Sequence, residues 1–115
     1  VIYGMAVYNI SINQGESYNL DASLVNSSGT SVNLSGYYLR GQARYSYGST
    51  GVLLNLSPTI TSAISGAINI SLTPTQTAGL PTTIAVYDIE SYVSGESTVN
   101  RVLNGSFSIS PEVTR

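Results

Sequence analysis

Cysteine, histidine, tryptophan and lysine are all absent from this 115-residue chain. Without Cys there is no disulfide, and without Cys and His there is no zinc–thiolate or haem framework. A Ser–His–Asp or Cys–His catalytic unit is excluded with them. Charge is also scarce: four Arg, two Asp and four Glu make up 9% of the residues, with a net charge of −2. Arginines at 40, 44, 101 and 115 make no basic stripe for phosphates, so nucleic acid is not an expected partner. No apolar run reaches the roughly 18 residues of a membrane-spanning helix, and no membrane contact is expected. Val1-Ile2-Tyr3-Gly4 has neither the basic start nor the apolar stretch of a signal peptide. The only methionine is Met5, so Met5-Ala6-Val7-Tyr8 reads as an alternative beginning.

What the chain does contain is small and polar. Ser, Thr and Asn number 19, 11 and 9, and nine of ten aromatics are Tyr. Hydrophobic residues are 42% of the total, too many for a disordered chain with so little net charge. The length suits one domain. Area scaling gives roughly 17,500 Å² unfolded and about 6,000 Å² folded, enough burial for a core without covalent staples.

Period-two alternation dominates. Tyr18, Leu20, Ala22 and Leu24 alternate with Ser17, Asn19, Asp21 and Ser23, the pattern of a half-buried strand. Tyr37, Leu39, Gly41, Ala43 and Tyr45 alternate with Tyr38, Arg40, Gln42 and Arg44. Tyr47-Gly48-Ser49-Thr50-Gly51 reads as a hairpin loop into Val52–Leu56. Ile68, Ile70 and Leu72 define another inward face, as do Ala85, Tyr87 and Ile89. Val99, Leu103, Phe107 and Ile109 share one face of the last strand. Thr73-Pro74, followed by Gly79, predicts one very short helical turn near 74–79. The expectation is all-β: an antiparallel, immunoglobulin-like β-sandwich of about seven short strands. Residues 6–110 form the domain, 1–5 an N-terminal arm and 111–115 a C-terminal tail.

Several segments also resemble a family. Gln14-Gly15-Glu16, Gly29-Thr30-Ser31-Val32-Asn33-Leu34-Ser35-Gly36-Tyr37, Gly66-Ala67-Ile68-Asn69-Ile70-Ser71-Leu72 and Tyr87-Asp88-Ile89-Glu90 resemble tailed-phage structural domains. The nearest family is the N-terminal domain of phage upper-baseplate proteins. The ending, from Leu103 to Ser110-Pro111-Glu112-Val113-Thr114-Arg115, is similar to small stand-alone virion proteins. Ser31, Asn33 and Ser35 stand where that family usually has Pro, Asp and Thr. The resemblance implies a virion location and a non-enzymatic structural role. Its partners would be other virion proteins, in the tail or baseplate or as head decoration on the major capsid protein, in many copies or as a homo-oligomer.

Candidate chemistry is thin. Asp88 and Glu90, two apart on a strand, stand about 6.6 Å apart by strand rise, a spacing of the order glycoside hydrolysis uses. One acid would need an apolar pocket to keep its proton, and both occupy the solvent side. Asp88, Glu90 and Glu96 supply oxygen ligands for calcium but no dense Asp-x-Asp loop. Neither a metal nor a cofactor is expected. Gly48-Ser49-Thr50-Gly51 is a hairpin tip, and six Asn-x-Ser sequences follow from polar residues sharing strand faces. The Tyr-rich face is the better lead, because Tyr is rigid, amphipathic and enriched where partners bury a surface. The expected contact residues are Tyr38, Arg40, Arg44 and Tyr47 on that face, with Ile2, Tyr3 and Arg115 at the ends. The alternative is a carbohydrate-binding module in which Tyr38, Tyr47 and Tyr92 stack on sugar rings.

Overall fold

The computed structural model describes residues 2–3, 6–26 and 28–111, with backbone alone for Ile2, Tyr3 and Ala6. Two sheets pack face to face. The smaller contains β1 (Ile2–Tyr3), β4 (Tyr18–Val25), β7 (Thr59–Ser62) and β8 (Ala67–Leu72), in the order β1-β4-β8-β7. In the larger, β2 (Ala6–Val7) and β3 (Ile10–Asn13) both lie along β10 (Val99–Ser110). Next come β9 (Ile84–Tyr92), β5 (Tyr38–Arg44) and β6 (Leu54–Asn55). The order reproduces the A-B-E-D and G-F-C sheets of immunoglobulin-type sandwiches, and the expected all-β sandwich is the fold. Its accessible surface is 6436 Å², close to the area expected for this length.

Alternation forms the core as the sequence indicates. Leu24, Ile68 and Ile70 from the smaller sheet meet Ile10, Ile89, Leu103 and Phe107 from the larger, all essentially inaccessible to solvent. Tyr87 is buried among them, edge-on to Phe107 with ring centroids 6.3 Å apart. Its hydroxyl donates to the Tyr8 carbonyl. Gly105 lies opposite Tyr87 in the ladder, and a Cβ there would collide with the Tyr8 carbonyl. The missing side chain is what lets the chain after β2 close over Tyr87.

The expected short helix is α1 (Pro74–Ala78), with a capping box between Thr73 and Gln76. It seals one end of the sandwich. The buried Thr77 hydroxyl donates to the Glu16 carbonyl (2.8 Å) and accepts from the Gly15 N–H (3.0 Å).

Three expectations need correction. The sandwich is not wholly antiparallel: β1 pairs parallel with β4, and β2 and β3 pair parallel with β10. Within the segment expected as an N-terminal arm, the Ile2–Tyr3 backbone lies opposite Leu24 and Val25. Tyr45 is 55% exposed, because β5 ends at Arg44. Val99 faces the opposite way from Leu103, because a register shift between Arg101 and Leu103 inserts an extra residue.

Candidate functional site: the outer face of the larger sheet

Eight of the ten charged residues fall within the described segments, and six of them gather at one surface. Ladder register explains how. Arg40 of β5 stands opposite Glu90 of β9, which stands opposite Arg101 of β10. One row away, Gln42 faces Asp88 and Asp88 faces Asn104. On the other side, Tyr38 faces Tyr92 and Tyr92 faces Val99. Side chains of one parity share a face, so three strands build a continuous patch from residues more than 60 positions apart.

Arg40 organises it. Its Nε donates to Glu90 (2.9 Å) and its Nη1 to Glu96 (2.7 Å), in the turn between β9 and β10. Glu96 holds a left-handed backbone, φ 56°, unusual for a residue with a side chain. The Arg40 guanidinium also lies 4.8 Å from the centre of the Tyr92 ring, which packs against Tyr38 at 5.7 Å. The two carboxylates raise the affinity of Arg40 for its proton. Arg101 approaches Asp88 at 3.5 Å. Burial, and then the neighbouring Glu90 charge, push the Asp88 carboxyl above its usual range, against the pull of Arg101, Arg44 and Arg40. Three arginines thus balance three carboxylates.

Two adjoining depressions mark this face. The larger, about 330 Å³, is lined by Arg40, Gln42, Asn55, Asp88 and Glu90. The smaller, about 190 Å³, runs past Gln42, Asp88 and Arg101 to Tyr47. Tyr47, 69% exposed, lines the smaller depression, and Tyr38, 56% exposed, stands at the start of β5.

Of the expected contact residues, the face brings together Tyr38, Arg40 and Tyr47. Arg44 lies there too but is occupied: Nη1 donates to the Ser49 and Thr50 carbonyls, and Nη2 to Gln42. It holds the 45–51 loop. Arg115 and the tail beyond Pro111 lie outside the described residues, as do the side chains of Ile2 and Tyr3. The reading of Asp88 and Glu90 as solvent-side residues agrees with their ion pairs to Arg101 and Arg40. Among the described residues, no three acidic side chains converge as a metal site would require. Sequence reasoning missed Glu96 and Val99 as members of this face. No known protein-family model matches the chain, and no curated protein is similar to it.

Proposed function

We propose that this chain is a non-enzymatic structural protein of a tailed-phage particle, fastened to other particle proteins through the outer face of its larger sheet. The motif resemblance suggests the setting, and the charge-balanced face supports the role. A free surface spreads its charges, whereas this one concentrates them where they already pair with each other. Such a face meets a neutral or mixed-charge partner with little reorganisation, since its groups are held before contact. Tail or baseplate placement follows the resemblance to baseplate domains; head decoration follows the small size of the chain.

Immunogold labelling of purified particles separates the two placements, and label on neither head nor tail ends the reading. A paired variant locates the attachment face. Arg40→Ala with Glu96→Ala removes two partly exposed ion pairs and the Arg40–Tyr92 contact, and should leave the fold intact. Incorporation into particles should fall at least about tenfold, equivalent to about 1.4 kcal/mol. Full incorporation of the folded variant would move attachment off this face. Binding to a glycan array, lost on Tyr47→Ala, would favour the carbohydrate-binding alternative instead.

A further inference from the structure

We infer that β3 is the edge through which two copies of this chain join, strand to strand, about a two-fold axis. The inference is independent of the particle reading. A sandwich offers unpaired backbone at its edges, and proteins guard these with short strands, Pro, bulges or charge. Three of the edges here are guarded. β1 and β6 have two residues each. β7 follows Pro58 and carries a register shift between Ile60 and Ser62.

β3, four residues long, has no Pro, no bulge and no charged residue of its own; the nearest charge, Glu16 in the following turn, accepts from the Asn13 side-chain amide at 3.3 Å. The strand runs in unbroken register with β10 from Ile10 to Asn13, and among the described residues no strand lies on its other side. No charged residue precedes Glu16. The directions of its backbone groups follow from its neighbours. Tyr8 and Gln14 donate their N–H groups towards β10, to the Asn104 and Ser110 carbonyls at 2.8 and 3.0 Å. Period-two alternation sets Ile10 and Ile12 the same way and turns the N–H groups of Ser11 and Asn13 outward. Buried Ile10 and Ile12 fix that orientation.

The occupant follows from charge. A second copy always brings the same charge to a two-fold contact, so only a neutral strand lies against itself without repulsion. An antiparallel pairing centred on Ser11 lets the two Ser11 residues exchange both backbone hydrogen bonds. It also sets each Asn13 N–H opposite Asn9 of the other copy. The two larger sheets then become one continuous sheet.

Sedimentation equilibrium on the purified chain, from about 5 µM to about 500 µM, tests this. The apparent mass should rise reversibly from 12.1 kDa towards twice that value. Ser11→Lys, which places two like charges at the centre of the contact, should weaken dimerisation at least about tenfold. Thr61→Lys on the guarded β7 edge should leave it unchanged. Should Ser11→Lys misfold by circular dichroism, Asn13→Lys carries the same expectation. Hydrogen exchange adds a local readout: the Ser11 amide gains protection as wild-type concentration rises. A monomer throughout the range overturns the inference, as does a dimer that survives both β3 charges or is lost with Thr61→Lys.

Discussion

Tyr87 does two jobs with one side chain. Its ring packs in the core against Phe107, and its hydroxyl reaches the Tyr8 carbonyl across the space that Gly105 leaves open. Burial raises the phenol's affinity for its proton, with Tyr18 and Tyr8 adding to it, so it acts as a donor throughout the physiological range. Tyr87→Phe keeps the ring and loses the bond, and should cost about 1 kcal/mol in denaturant unfolding. Gly105→Ala presses a methyl group into the Tyr8 carbonyl and should cost more, about 2 to 3 kcal/mol. Equal losses would show that backbone movement absorbs the methyl group freely. Gly66 is constrained in a second way. Its φ is +69°, and an added Cβ would lie 2.6 Å from the Val32 carbonyl oxygen and 2.8 Å from that of Leu24.

At the scale of elements, α1 matters less for its own stability than for what it ties down. Thr77 satisfies the backbone of the turn after β3, which otherwise has no strand partner for Gly15 N–H or Glu16 C=O. Thr77→Val keeps the volume and removes the hydroxyl, leaving two polar groups without their partner, and should cost about 2 kcal/mol. Amide exchange at Gly15 should accelerate with it. A loss below about half a kcal/mol would mean that water replaces the hydroxyl.

The strands most legible in the sequence were β4, β8, β9 and β10, each with three or more inward apolar residues, and β5, whose alternation continues into its flanking tyrosines. β3 has only Ile10 and Ile12, and β7 only Ile60, too few alternations to stand out locally. Parallel pairing of the first strands was not legible, because it depends on partners 22 residues away for β1 and 97 residues away for β2 and β3. The bulge did leave a trace in the adjacent apolar pair Val102-Leu103, both buried. The site was legible by halves. Alternation placed Tyr38, Arg40, Gln42 and Arg44 on one face, but the partners of Arg40 lie 50 and 56 residues away. Only the register of β5 on β9 and the left-handed turn at Glu96 bring them together.

For the whole molecule, the scarcity of charge leaves little for salt to screen. The three ion pairs among the described residues are partly open to solvent, and such pairs contribute at most about 1 kcal/mol each. Raising salt from about 10 mM to about 1 M should therefore shift the melting temperature by less than about 3 °C. A larger fall would show that the Arg40 cluster holds the fold as well as its outer face. The parallel pairing of β3 with β10 has a further, mechanical consequence. The two strands point the same way, yet one lies near the beginning of the chain and the other near its end. Tension between the ends would pull them in opposite directions along their length, loading every bond from Phe107 to Ser110 at once. The seam thus resists as a lap joint does, in shear, where an antiparallel hairpin pulled from its open end would unzip one bond at a time.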